Sequence, residues 1–224
     1  MLNYAIDPVL LKPFVPFGTE LDSYEGTTYV SLVGFLFLKA RVLGMTIPYH
    51  SNFEEVNLRF YVRRKRTDGW ERGVVFIREF VPRWAIAFVA RTVYGEAYES
   101  LPMRHTIESY GDNTKVDYSW RLRGCWQSMR MTTVGEPQET KSDSLEEFIT
   151  EHYWGYARQS DGGTFEYQVE HPKWRVWLAR SAVLDCDVKS LYGDRFVDCL
   201  KQSPTSAFLA DGSDVTVSRG IRLS

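Results

Sequence analysis

Short runs of apolar residues, separated by turn-forming residues, recur along the chain and read mostly as strands. The longest apolar run, residues 29–38, lies within a predicted buried strand over 28–39. Residues 57–64 and 73–81, rich in Val, Phe, Tyr and Ile, predict two more, joined as a hairpin through Asp68-Gly69. A second hairpin is predicted from residues 153–158 and 164–169 about Ser160-Asp161-Gly162-Gly163, with further strands over 115–124, 174–183, 206–210 and 214–223. Helical signals are fewer. Asp7 caps a short helix that starts at Pro8 and runs through Leu11. Over 82–94 the period changes, with Ile86, Val89, Ala90 and Val93 on one stripe and Gly95 as the stop. Ser144-Leu145-Glu146-Glu147 is a capping box, and residues 188–200 hold one or two short helices. Residues 134–143, rich in Gly, Pro, Gln and Thr, read as a mobile loop. With many strands, few helices and no β-α-β alternation, the pattern predicts one domain over 1–224, a mainly antiparallel barrel or sandwich.

Alternation within the first hairpin separates two faces. Asn57, Arg59, Tyr61 and Arg63 share one, and Leu58, Phe60 and Val62 the other. A hairpin centred on Gly69 sets Arg59 opposite Glu79, Tyr61 opposite Ile77 and Arg63 opposite Val75. A slip of one residue sets Arg59 against Arg78, so the first register is expected. The Arg59/Tyr61/Glu79 face is then either open to water or the lining of a cavity in which an arginine receives a carboxylate.

Composition narrows the chemistry. The 224 residues are 44% hydrophobic and 25% charged, as in an ordinary globular protein. Lysines and arginines number 27 against 29 acidic residues, a net charge of −2, which argues against a nucleic-acid partner. The longest apolar run is far short of the roughly 20 residues of a membrane-spanning helix. With neither a basic n-region nor an apolar h-region at the N-terminus, a cytoplasmic location is expected. Cys125, Cys186 and Cys199 are odd in number and lack C-x-x-C spacing, so packed thiols are expected. His50, His105, His152 and His171 include no pair one helical turn apart, and no metal is expected. There is no glycine-rich phosphate loop and no G-x-S-x-G nucleophile elbow, and no cofactor is expected.

Several stretches in order nevertheless resemble one family. These are Asn3-Tyr4-Ala5-Ile6-Asp7-Pro8, Gly18-Thr19-Glu20-Leu21-Asp22, the run from Phe53 to Arg64, and Glu151-His152-Tyr153-Trp154-Gly155-Tyr156. The resemblance continues through Arg72-Gly73-Val74-Val75-Phe76-Ile77, Val169-Glu170-His171-Pro172-Lys173-Trp174 and Tyr192-Gly193 to Ala210-Asp211-Gly212-Ser213. The family is the bacterial YqjF-like group of uncharacterised proteins, also called DUF2071, similar in fold to acetoacetate decarboxylase. That resemblance implies an antiparallel β-barrel with a central cavity and a few short flanking helices, and so favours a lined cavity. The decarboxylase works through a lysine that forms a Schiff base with a β-keto acid. The matching stretch here, residues 92–102, contains no lysine. A family carboxylate at the entry to a central strand matches Glu55 after Phe53, or alternatively Glu54.

The expected function is a barrel that binds a carboxylate-bearing or polar organic acid, with or without lyase or hydrolase activity that needs no lysine. Arg59 would hold the anion beside Asn57 and Arg63, Tyr61 and Tyr98 would donate hydrogen bonds, and Glu55 or Glu79 would be the acid or base. The alternative is a non-catalytic module whose barrel is filled by side chains, Glu151, His152 and Trp154 serving packing or a partner surface. Schiff-base decarboxylation ranks third.

Overall fold

The computed structural model of the chain describes residues 1–38, 41–42, 45–46, 52–82 and 98–223. Its strands, in chain order, begin with β1 (Leu2–Ile6), β2 (Glu20–Leu21), β3 (Thr28–Phe37), β4 (Arg41–Val42) and β5 (Met45–Thr46). The long hairpin β6 (Phe53–Arg66) and β7 (Gly69–Val81) follows, then β8 (Tyr98–Ser100), β9 (Met103–Tyr110), β10 (Asn113–Leu122), β11 (Cys125–Val134) and β12 (Gln138–Glu139). The last are β13 (Trp154–Arg158), β14 (Thr164–Glu170), β15 (Arg175–Asp185), β16 (Ser206–Ala210), β17 (Thr216–Val217) and β18 (Ile221–Leu223). Among the described residues the α-helices are α1 (Pro8–Leu11), α2 (Leu145–Thr150), α3 (Val188–Tyr192) and α4 (Val197–Leu200), and short 3-10 turns span Lys12–Phe14 and Asp194–Phe196.

The main sheet runs β17-β14-β13-β7-β6-β3-β1-β16-β15-β11-β10-β9. Its pairings are antiparallel except β13 and β8 on β7. The architecture is therefore mainly β with a few short helices, as the sequence predicts. It is not a closed barrel: among the described residues no pairing joins β9 back to β14 or β17. The sheet instead folds over itself. Val56, Leu58 and Phe60 of β6 share one core cluster with Val116, Tyr118 and Trp120 of β10 and Met129 of β11. Leu191, Tyr192, Phe196 and Leu200, from α3, α4 and the turn between them, complete that core.

Local signals account for the helix starts. The Asp7 side chain accepts from the Val9 amide at 2.8 Å. Ser144 accepts from the Glu147 amide, while Glu147 reaches back to the amide of Asp143 rather than to Ser144 itself. The predicted helix over 82–94 lies outside the described residues beyond Pro82. The predicted strand 214–223 is two short strands, and residues 134–143 include β12, which pairs with β15.

The predicted register of the first hairpin is corrected by the structure. Arg66 pairs with Gly69 across a two-residue loop, so Arg63 faces Arg72, Tyr61 faces Val74, and Arg59 faces Phe76 instead of Glu79. Between Leu58 and Arg59 the register shifts, and Glu79 pairs with Asn57. The cause is a bulge at Ile77. Strict alternation would send Val75, Ile77 and Glu79 to the same side, placing the carboxylate in the main apolar core. The extra residue changes the phase, so that Val75, Ile77 and Phe80 enter the core and Glu79 turns to the opposite face.

Candidate functional site

The odd-numbered residues of β6 face away from the main core. At one end of this face Phe53 packs with Val81, Phe37 and Tyr98. At the other, Tyr61 packs with Phe148 and Ile149 of α2. Between these apolar ends lie Glu55, Asn57 and Glu79, with residue exposures of 2%, 1% and 1%. Glu79 stands opposite Asn57 on β6 and beside Tyr98 on β8.

Glu55 is held from both sides. The Asn57 amide donates to Oε1 at 3.0 Å, and the Tyr98 hydroxyl donates to Oε2 at 3.0 Å. Burial disfavours the ionised carboxylate and pushes its pKa up to about 7, although both hydrogen bonds and the charge of Arg59 pull the other way. Desolvation wins, and Glu55 exchanges its proton near neutrality.

Arg59 follows on the same face. Its guanidinium donates to the Ile149 carbonyl at 3.1 Å and sits 5.7 Å from the Tyr61 ring centre. Its buried Nε–H has no hydrogen-bond acceptor among the described residues. Tyr61 belongs to a different network: its hydroxyl is 2.6 Å from Ser31 Oγ, Ser31 donates to Asn3 Oδ1 at 2.7 Å, and Asn3 donates to Ser206 Oγ at 2.9 Å. The structure thus brings together Glu55, Asn57, Glu79 and Tyr98, with Arg59 next in line and Tyr61 beyond it. Arg63 stands apart, in a half-exposed ion pair with Glu20 at 2.7 Å and 4.3 Å from the Trp70 ring centre.

The buried group below Tyr61 includes His152, to which sequence reasoning assigned only a packing or partner-surface role, and the polar side chains Asn3 and Ser31, to which it assigned none. The His152 ring lies 4.6 Å from that of Tyr61 and 5.3 Å from that of Phe148. Neither ring nitrogen has a hydrogen-bond partner among the described residues, and Asp22, 3.9 Å from Nε2, is bonded by Arg72 at 2.7 Å. Burial, then the charges of Arg72 and Arg59, hold the imidazole pKa well below its usual value. The available signals were polar residues inside apolar words, Asn3 between Leu2 and Tyr4 and Ser31 between Val30 and Leu32. Among the described residues no three His, Cys, Asp or Glu gather as metal ligands, and no helix is long and apolar enough to cross a membrane. Every described lysine is exposed, so none has the desolvated setting that makes an amine nucleophilic.

In sequence, the chain is 27% identical over 194 residues to the uncharacterized protein YqjF of Bacillus subtilis (strain 168), covering 84% of this chain and 75% of that one. In structure, the acetoacetate decarboxylase of Legionella pneumophila superposes with a TM-score of 0.64 at 15% identity, covering 100% of this chain and 83% of that one. The enduracididine biosynthesis enzyme MppR, solved with pyruvate, gives 0.67 at 13% identity, covering 100% of this chain and 86% of that one. An acetoacetate decarboxylase-like enzyme of Sphingomonas wittichii RW1 gives 0.63 at 12% identity, covering 100% and 89%. At such identities the likeness is one of fold. Residues 1–214 match the family model DUF2071, an uncharacterized conserved protein, and the chain belongs to that family.

Proposed function

We propose that the Glu55/Asn57/Glu79/Tyr98 face binds a small polar organic acid, with Glu55 exchanging a proton with the ligand and Arg59 orienting its carboxylate. One observation carries this reading: a fully buried carboxyl held between Asn57 and Tyr98, with the second buried carboxyl Glu79 across the strand pair. Burying ionisable groups costs several kcal/mol each. A face that served packing alone would be more stable with apolar residues there, so the carboxyls are best explained by chemistry. Protonated, Glu55 donates to a ligand oxygen; ionised, it takes a proton from a hydroxyl or from a carbon next to a carbonyl. The Arg59 Nε–H supplies a charged donor with no other acceptor among the described residues. MppR, which shares the fold, holds pyruvate, and a keto acid of that size is the first class to test. With no desolvated lysine among the described residues, the proposed chemistry is proton transfer in a lyase or hydrolase rather than Schiff-base decarboxylation.

A second reading, a filled face with no ligand, draws on the bond from Arg59 to the Ile149 carbonyl, which occupies part of the guanidinium. Thermal-shift titration with pyruvate and related small keto and hydroxy acids separates the two, because a ligand that binds only the native form raises its melting temperature. A rise that disappears in Arg59→Ala is expected. No rise with any of these acids, or one that survives Arg59→Ala, overturns the proposed assignment.

A further inference from the structure

The main sheet has two ends of unlike character. At one end the last strands are the two-residue β17 and the three-residue β18, short edges of the kind that resist pairing with another molecule. At the other lies β9, eight residues long, which pairs with β10 alone among the described residues. Every residue of β9 after Met103 is exposed. Apart from the charges of Arg104 and Glu108, the usual edge protections are missing: β9 contains no proline and no lysine, and its register against β10 is unbroken from Met103 to Tyr110.

The hairpin geometry fixes which backbone groups are free. Tyr110 pairs with Asn113 across the two-residue turn Gly111-Asp112, so Tyr110 exchanges both backbone hydrogen bonds with its opposite residue. Alternation then directs the amides and carbonyls of Arg104, Thr106 and Glu108 toward β10 as well. Those of Met103, His105, Ile107 and Ser109 point outward.

We propose that β9 is a homodimer interface, pairing antiparallel with β9 of a second copy about a two-fold axis at Thr106. In this register Met103 faces the partner's Ser109, and His105 faces the partner's Ile107. The outward backbone groups of each strand therefore meet in hydrogen-bonded pairs. On the other face Arg104 lies opposite the partner's Glu108, and symmetry makes that ion pair twice. Charge selects this register over its neighbours. A slip of the centre to His105 or Ile107 leaves both Arg104 and Glu108 opposite uncharged residues, and a slip to Arg104 or Glu108 sets two like charges face to face. The pairing also covers Ile107, which is 49% exposed in the single chain. A net charge of −2 opposes self-association only weakly.

Light scattering coupled to size exclusion, run on the whole chain at micromolar concentration, reads the mass directly. Twice the 26.0 kDa of one chain is expected. Glu108→Arg sets an arginine opposite the partner's Arg104 and should weaken the dimer roughly tenfold or more, while the double variant Arg104→Glu/Glu108→Arg restores it. Ile107→Pro removes an outward amide without touching the bonds to β10, and should give a folded monomer by circular dichroism. A monomeric wild-type chain, or a dimer that persists in both Glu108→Arg and Ile107→Pro, overturns the proposal.

Discussion

Glu55→Gln isolates the buried carboxyl, because the two side chains have nearly the same shape and only the acid titrates. Glu55 moves from 4.5 in the unfolded chain to about 7 in the native one. Between those values the native state holds more protons than the unfolded state, so stability falls as pH rises and levels off above the native pKa. At about 1.4 kcal/mol per pH unit the full effect is about 3 kcal/mol. Glutamine escapes this loss. In exchange, its amide can accept from only one of Asn57 and Tyr98, at a cost of about 1 kcal/mol. The variant should therefore match wild type near about pH 5 and exceed it by about 2 kcal/mol near about pH 8. Urea unfolding of both proteins across that range provides the measurement, since other titrating groups cancel in the difference. Parallel stability profiles would show that Glu55 is ionised in the native state throughout, and the proton-exchange role would fall with it.

His152 should give the opposite slope. Held neutral by burial, it binds fewer protons than its unfolded counterpart once the pH drops below about 6.5, so stability is lost toward acid; His152→Phe should flatten that limb, and an unchanged slope between the two proteins would refute neutral burial. Gly73→Ala would place a Cβ 2.6 Å from the Tyr156 ring and 2.7 Å from the Trp154 carbonyl oxygen at the parallel β7–β13 contact. A loss of about 1–3 kcal/mol in chemical denaturation is expected, and a neutral result would mean that the two strands separate without cost. Glu166, 1% exposed, is bonded by Arg64 at 2.6 Å and Arg66 at 2.7 Å. Because both arginines keep some contact with water, Glu166→Ala should cost about 3 kcal/mol, the lower end for breaking a buried pair, read as a lower denaturation midpoint.

What the sequence disclosed depended on whether a strand has one buried face. On β6 the alternation of Leu58, Phe60 and Val62 with Asn57, Arg59 and Tyr61 separates core from site and placed Asn57 and Arg59 without coordinates, while Glu55 was reached only through the family resemblance. Glu79 was reached by a register that the bulge at Ile77 invalidates, since an inserted residue leaves no mark on composition and only the cost of burying a carboxylate in the main core reveals it. Tyr98 joins the cluster through a parallel pairing between β7 and β8, which no local pattern encodes. The open sheet was hidden for a related reason, because closure depends on the pairing of the end strands and on stagger summed over the whole sheet. β9 escaped altogether. Its residues are exposed on both faces, so no period of two appears, and Arg104, His105, Glu108 and Ser109 read like a loop. A strand so little demanded by its own core is held by its ladder to β10 and by a few side-chain contacts, His105 to Glu54 and Arg104 to Trp126, and its other edge, by the charge pattern of Arg104 and Glu108, fits another copy of itself.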